Sequence, residues 1–301
     1  MFLLTMLFAA LVFDFARLLH RFNRRRGLAF RRIFSAERMA ALVSGILLMG
    51  ALMFFQGSFT TIKNMLPLFK GGFTDDRFQA ELDAWLHLGF DPWSWVHMLG
   101  SGLVTRVLEF NYSVLWFALC FGILFFVATS PLADGVRRRY LAMFIFVWII
   151  CGNVLAGLFL SAGPLFYGEV VGDHERFAEL IAWLGRGQDA NIVMGYRDYL
   201  WELHDSGKAG FGSGISAFPS VHVALTMMNA LFVNHYSRRL GLFAFAYVAV
   251  IQFSSVYLGW HYAIDGYVSI VAVTAAYLLI DMLSRRRPGG APAGLPVPSA
   301  A

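Results

Sequence analysis

Two histidines and one aspartate carry the chemistry that this sequence can perform. His261 and Asp265 are four positions apart, so on a helix they share a face and the carboxylate can accept the imidazole N–H. That bond fixes the tautomer and leaves the other ring nitrogen with a free lone pair, as a nucleophilic histidine requires. His222 can protonate a leaving alkoxide. These three residues predict phosphoryl transfer through a covalent histidine intermediate.

The residues before His222 predict a phosphate-binding site. A glycine-rich stretch that includes Gly214 leads to Pro219 and Ser220, where an apolar segment begins. Backbone N–H groups, a serine hydroxyl and a helix N-terminus all favour an anion. We therefore expect Gly214, Pro219 and Ser220 to bind the phosphate.

A phosphate also needs a positive charge, which we expect from the loop before the glycine-rich stretch. Three basic residues qualify, and Lys208 ranks first because it is closest in sequence, ahead of Arg197 and Arg176. The reaction needs no cofactor or metal, and no residues have zinc-like spacing. The loop pairs His174 with Asp173 and His204 with Asp205 are interpreted as exposed loop residues.

The composition places these residues in a membrane. The chain has 301 residues, 58% of them hydrophobic and only 14% charged, with a mean hydropathy of +0.61. Because about 20 apolar residues cross the hydrocarbon core as a helix, the pattern predicts an all-α polytopic membrane helix bundle. About seven transmembrane spans are expected, near residues 1–20, 38–57, 112–130, 140–162, 218–236, 240–259 and 264–284.

The arginines predict the orientation of these spans. Basic clusters follow the first, third, fifth and seventh spans, and short basic loops remain in the cytoplasm. The segments 58–111 and 163–217 then lie on the outer face, where Trp-rich amphipathic helices suit the headgroup level; a packed extramembrane cap is the alternative. Both histidine motifs fall on this outer face, which would be periplasmic in a bacterium and lumenal in a eukaryote. A bacterial inner-membrane protein with a periplasmic active site is the favoured expectation.

The chain divides into three expected regions. Residues 1–37 form a first span and a basic cytoplasmic loop, and residues 38–284 form the membrane-embedded catalytic domain. Residues 285–301 are rich in Pro, Gly and Ala, which predicts a disordered tail. The arginines lie beside apolar runs, so no nucleic-acid partner is expected, and the sequence indicates no oligomeric state.

The two motifs resemble a known superfamily. Pro-Ser-x-His-x-Ala at 219–224, followed by Ser-x-Val-Tyr-x-Gly-x-His-x-x-x-Asp at 254–265, is similar to the type-2 phosphatidic acid phosphatase superfamily. The resemblance implies that His261 is the nucleophile, that Asp265 orients it, that His222 is the general acid and that Ser220 binds phosphate.

Two departures favour one branch of that superfamily. The phosphatases carry Lys-x6-Arg-Pro in an earlier segment, which this chain lacks, and an Arg where this chain has Ser255. The run 161–168 instead is similar to the Gly-Pro segment of inositol phosphorylceramide synthase-like proteins. That resemblance adds Gly163, Pro164 and Tyr167 to the expected substrate-binding residues.

The leading functional hypothesis is an integral membrane enzyme that transfers a phosphoryl group or phospholipid headgroup at the outer leaflet. The expected partners are the bilayer, a membrane lipid substrate and an alcohol or water acceptor. A phosphotransferase like inositol phosphorylceramide synthase is favoured, and a phosphatase acting on phosphatidate or isoprenoid phosphate is the alternative. Hypotheses of another class are a lipid transporter, whose site would be expected near the bilayer midplane, and a non-catalytic membrane scaffold.

Overall fold

The computed structural model describes residues 26–186, 192–208, 210 and 212–285, with Val12, Ala16 and His20. The extended regular elements in these residues are helices, so the predicted all-α bundle is confirmed. The predicted span near residues 1–20 lies outside the described residues except for Val12, Ala16 and His20. The predicted tail lies outside them except for Arg285.

The α-helices are numbered here in chain order. They are α1 (Arg26–Ile33), α2 (Ala36–Lys70), α3 (Asp76–Leu86), α4 (Pro92–His97), α5 (Gly102–Thr129), α6 (Asp134–Leu158), α7 (Tyr167–Val171), α8 (Ala178–Leu184), α9 (Ile192–Asp205), α10 (Val221–Tyr236), α11 (Arg238–Tyr257) and α12 (Ala263–Arg285). Helices α5 and α6 each contain a π-helical stretch, at Asn111–Leu115 and Val147–Leu155.

Five of the described helices are long and apolar enough to cross a membrane, namely α2, α5, α6, α11 and α12. They account for five of the predicted spans. The predicted span over 218–236 is α10, which has 16 residues and is shorter than the ~20 residues that a membrane crossing needs. Two predicted boundaries were wrong, because α2 continues to Lys70 and α5 already begins at Gly102, which shortens the outer segment between them.

Helix α10 lies at the centre of the bundle. It packs against α11 and α12 and also contacts α5 and α6. Every residue from 223 to 230 is buried, and a helix that is apolar on all sides requires such surroundings. The N-terminus of α10 carries His222, so the central helix delivers this residue to one end of the bundle.

The basic segments lie at the other end of the bundle. The Arg139 guanidinium near the start of α6 is 3.0 Å from the Asp281 carboxylate near the end of α12. The hydroxyl of Tyr236, at the end of α10, donates to the Leu132 carbonyl at 3.2 Å. The ends of α10 and α12 that are far from the histidine motifs therefore meet the start of α6.

Helix α3 covers the histidine end with an unusual arrangement of its faces. Its buried residues include Asp76, Gln79 and Asp83, whereas Phe78 is 58% exposed and Trp85 is 74% exposed. Three polar side chains of this helix point into the protein, whereas its outward side carries Phe78 and Trp85 beside the exposed Arg77 and Glu81.

Close packing of α2 against α5 yields a first prediction. Gly45 is buried, and a Cβ there would lie 2.9 Å from the Thr129 Cα, whereas a Cβ at Gly50 would meet no atom within 4 Å. Gly45→Ala should lower the melting temperature in detergent because the two helices must separate. Gly50→Ala should leave it unchanged or raise it, since alanine favours a helix by up to ~1 kcal/mol. Equal effects of the two substitutions would contradict this packing.

Candidate active site

Three loops meet at the histidine end through backbone hydrogen bonds. The Ala217 N–H donates to the Ser161 carbonyl at 2.8 Å, and the Leu165 N–H donates to the Gly259 carbonyl at 3.2 Å. The Ser220 N–H donates to the Asp265 carbonyl at 3.2 Å. The loop before α7, the turn before α10 and the turn between α11 and α12 thereby form one connected unit.

His261 and Asp265 make the predicted contact, but His261 lies in the turn before α12 and not on the helix as predicted. The His261 Nδ1 lies 3.2 Å from Asp265 Oδ2, and the same oxygen accepts the Tyr262 N–H at 3.0 Å. Both side chains are buried. Burial lowers the pKa of His261 to about 3, and the positive charge of Lys63 acts in the same direction. His261 is therefore a neutral imidazole near pH 7, with Nε2 as the nitrogen that Asp265 leaves available.

His222 faces His261 from the first turn of α10. The centres of the two imidazole rings are 6.5 Å apart. The His222 ring stacks on Tyr112 at 4.2 Å and lies 3.9 Å from the ring of Trp116. Trp116 is fixed in turn, because its indole N–H donates to the Thr226 hydroxyl at 2.9 Å. Two aromatic side chains of α5 therefore set the orientation of the second histidine.

The predicted phosphate-binding residues lie around this pair. Ser220 is the N-cap of α10, although its hydroxyl is 3.5 Å from the Val223 N–H, a long hydrogen bond. The backbone of Gly214 has a φ of 94°, and a Cβ there would be 3.1 Å from the Lys63 Cγ. Glycine is required at this position both for the backbone conformation and for the close approach of the lysine.

Lys63 is a candidate site residue that sequence reasoning missed. It lies on α2. Burial lowers the pKa of both His222 and His261, and the positive charge of Lys63 acts in the same direction on both. In the described part of the chain no carboxylate forms an ion pair with it. The neighbouring Asn64 amide donates to the Ser213 hydroxyl at 2.8 Å, which joins α2 to the glycine-rich stretch. An uncompensated cation therefore lies beside two imidazoles.

The basic residues expected from the outer loop have other surroundings. Arg176 is bound to Asp91 at 2.8 Å and to the Ala80 carbonyl at 2.9 Å. Arg197 forms ion pairs with Glu169 and Asp198. The Lys208 side chain is exposed. Both arginines are engaged in structural contacts, and a phosphate-binding role for Lys208 stays a prediction.

Two carboxylates of α3 bind the backbone of the loops that carry the site. Asp76 accepts the Ala162 N–H at 2.7 Å, the Gly163 N–H at 2.8 Å and the Tyr262 hydroxyl at 2.9 Å. Burial raises the pKa of Asp76 to about 6, although these hydrogen bonds lower it. One carboxylate thus joins the Gly-Pro loop to the residue that follows His261.

Asp83 binds the N-terminus of α12. It accepts the Ala263 N–H at 2.9 Å and the Ile264 N–H at 3.0 Å. The first N–H groups of a helix have no partner within the helix, and a carboxylate stabilises that end. Because Asp265 lies in this first turn, Asp83 fixes the part of α12 that holds the carboxylate of the pair.

The Gly-Pro run has structural contacts. Gly163 has a φ of 95°, and a Cβ there would lie 2.7 Å from the Trp260 carbonyl and 3.0 Å from the Ala217 Cβ. Its N–H is donated to Asp76. Pro164 lines a small cavity together with His261, and Tyr167 is buried against Phe177. These contacts describe a junction between loops, and substrate binding by Gly163, Pro164 and Tyr167 stays a prediction.

Ser255 occupies the position where the resembled phosphatases carry an arginine. It is fully buried, and its hydroxyl donates to the Gln252 carbonyl of its own helix at 2.8 Å. Its carbonyl accepts the Trp260 N–H at 3.1 Å and the His261 N–H at 3.3 Å. The backbone of this residue holds the His261 turn, and its side chain supplies no charge.

Comparison with known proteins shows the family to which this chain belongs. The family model of the PAP2 superfamily matches residues 79–279, more than half of the chain. The resemblance of the two motifs is thereby confirmed at the level of the superfamily, and the branch stays a prediction. Neither the curated proteins nor the solved structures yielded a significant match. Lys63 and Asp76 both precede the matched segment.

The three contacts of Asp76 predict a large loss of stability for Asp76→Ala. Each buried donor that loses its acceptor costs about 1–3 kcal/mol, so the free energy of unfolding should fall by about 3 kcal/mol or more. The adjacent Asp75 pairs with Lys70 at 3.0 Å and is partly exposed, so Asp75→Ala should cost less than about 1 kcal/mol. Thermal and denaturant unfolding in detergent measure both values. Similar losses for the two variants would contradict the structural role of Asp76.

Proposed function

Because the chain belongs to the PAP2 superfamily, whose members are phosphatase- or phosphotransferase-type enzymes of lipid phosphates, we propose that it transfers phosphoryl groups through a covalent bond to His261. The observation that carries the proposal is the convergence of His261 on Asp265, His222 and Lys63 at the N-termini of two helices. This set contains a nucleophile with a fixed tautomer, a proton donor and a cation for the phosphate oxygens.

The proposed reaction has two balanced steps. In the first, His261 Nε2 attacks phosphorus, the bond from phosphorus to the ester oxygen breaks, and His222, protonated when the anionic substrate is bound, gives its proton to the leaving alkoxide. In the second, His222 removes a proton from water or an alcohol, whose oxygen attacks phosphorus and breaks the bond to His261. Free phosphate or a new phosphoester leaves, and both histidines regain their starting state.

Lys63 is proposed to bind the non-bridging phosphate oxygens. The charge that develops on these oxygens is stabilised most by donors placed in a site that excludes water. Lys63 has no described carboxylate partner, so no ion pair must break before it binds a phosphate. The Ser220 hydroxyl and the N–H groups at the start of α10 are proposed to complete the site.

The acceptor and the side of the membrane are the finer parts of the proposal. The missing Lys-x6-Arg-Pro run and Ser255 support a phosphotransferase like inositol phosphorylceramide synthase, with a lipid phosphate phosphatase as the alternative. We place the site at the outer leaflet, on the periplasmic face of a bacterial inner membrane, because the basic segments lie at the other end of the bundle. Purified protein given a phospholipid donor together with ceramide or diacylglycerol as the acceptor should form a new phosphoester; release of free phosphate alone would favour the phosphatase.

A substitution of the nucleophile gives the direct test of the reaction. His261→Ala should lower kcat on a lipid phosphate at least ~10⁴-fold, because no other group forms the covalent bond. His235 lies exposed near the far end of α10, so His235→Ala should stay within about twofold of wild type. Turnover assays on both purified variants check this. Full activity in His261→Ala would overturn the mechanism.

A second pair of variants tests which lysine binds phosphate. Lys63→Met should lower kcat/KM by about 10²-fold and weaken inhibition by vanadate, because a preorganised cation is lost. Lys63→Arg should recover part of the activity. Lys208→Met is the matched control, since this exposed lysine should contribute less than about twofold. The reverse order of effects would support Lys208 as the phosphate ligand.

A further inference from the structure

We propose that an apolar groove between α3 and the start of α12 binds the hydrocarbon chain of the lipid phosphate. This inference rests on the proposed function, because it assigns the remainder of the same substrate molecule. The lining of the groove is apolar, so the part of the lipid that it would bind is a hydrocarbon chain, either acyl or isoprenoid.

The first observation is the orientation of α3. A helix on the surface of a water-soluble protein buries its apolar side, whereas α3 buries Asp76, Gln79 and Asp83. Its outward side presents Phe78 and Trp85, and the turn after the helix continues this surface with Leu88, which is 83% exposed. Such a surface is stable where lipid, not water, surrounds it. Arg77 and Glu81 are exposed on the same side, so the outward face of α3 suits the boundary between lipid headgroups and hydrocarbon.

The second observation is the groove itself. It has a volume of about 270 Å³ and an apolar lining to which both helices contribute. The side chains used in this argument are Phe78, Leu82, Phe218, Ile264 and Val268. The cavity is a preformed space for an apolar ligand.

The two polar side chains of the lining each hold a contact within the protein, and Gln79 Oε1 is the one atom of the two that has no hydrogen-bond partner among the described residues. The Gln79 amide donates to the Phe159 carbonyl at 2.9 Å, and the Tyr267 hydroxyl is 3.0 Å from His87 Nε2. The lining therefore offers little to a charged or hydrogen-bonding ligand, and hydrocarbon is the ligand class that gains from it.

The third observation is the position of the groove relative to the proposed reaction centre. Ile264 precedes Asp265, and Phe218 lies two residues before Ser220. Helix α12 is one of the candidate spans, so its groove-facing side chains, Ile264 and Val268, lead from the histidine end toward the hydrocarbon core. A lipid with its phosphate at His261 can therefore place a chain between α3 and α12 while the rest remains in the bilayer.

Matched tryptophan substitutions on α12 test the inference. Val268→Trp fills the groove, whereas Val271→Trp adds the same side chain at a position that is 68% exposed and outside the lining. The substrates are dihexanoyl and dipalmitoyl phosphatidate in the same detergent. Burial of a methylene is worth ~0.8 kcal/mol, about fourfold in kcat/KM, so wild type should prefer the long chains by at least about tenfold.

The groove predicts a specific pattern of rates. Val268→Trp should abolish the preference for long chains, whereas Val271→Trp should keep the wild-type preference and the wild-type rate on short chains. Leu82→Trp, from the α3 side, should act like Val268→Trp if the latter does not fold. No chain-length preference in wild type, or the same preference in all variants, would overturn the groove. Absence of turnover on both chain lengths in wild type, by contrast, would count against the proposed function and not against the groove alone.

A binding measurement without turnover separates substrate from bulk lipid. His261→Ala protein is mixed with a phosphatidate that carries a diazirine at the end of one chain, and the crosslinked peptides are mapped. The inference predicts labelling in 78–86 or 264–268 that excess unlabelled phosphatidate reduces. Labelling in these peptides that only neutral bilayer lipid reduces, or labelling confined to other helices, would overturn it.

Discussion

Hydrogen bonds from backbone N–H groups to buried carboxylates hold the histidine end of this protein together. Asp76 binds the Gly-Pro loop and Tyr262, Asp83 binds the N-terminus of α12, and Asp265 binds both His261 and the Tyr262 N–H. A buried N–H without an acceptor is costly in a membrane protein, so these loops can exist only where such acceptors are present. The two carboxylates of α3 must therefore point inward, and Phe78 and Trp85 are left on its outward side with Arg77 and Glu81.

The burial of the α3 carboxylates connects the stability of the fold with its proposed chemistry. The same short helix fixes the turn that carries His261 and Asp265 and forms one wall of the apolar groove. A lipid phosphate has one charged end and one apolar end, and the two sides of α3 suit these two ends. Lys63 adds a cation from a different direction, because α2 extends past its predicted end and brings the lysine over Gly214.

The sequence predicted the elements whose signals are local. Apolar runs located five of the spans, and the spacing of His261 and Asp265 predicted their contact. Lys63 and the two α3 carboxylates were missed because their partners lie far away in sequence, as with Asp83 and Ala263. A lone lysine after a long apolar run was the one available signal, since an ionisable residue at a span end is a functional candidate. The burial of the polar residues of α3 could not be predicted, because helical periodicity shows that a helix has two different sides but not which side packs against the protein.

The central claim is that His261 forms the bond to phosphorus with Lys63 at the phosphate oxygens. An experimental structure of the protein with vanadate, which mimics the pentacoordinate phosphorus of the transition state, tests it most directly. The account predicts vanadium bonded to His261 Nε2, with His222 at the position opposite and the Lys63 ammonium on the equatorial oxygens. Vanadate that inhibits the enzyme but binds away from His261, or is held by Lys208 in place of Lys63, would contradict it.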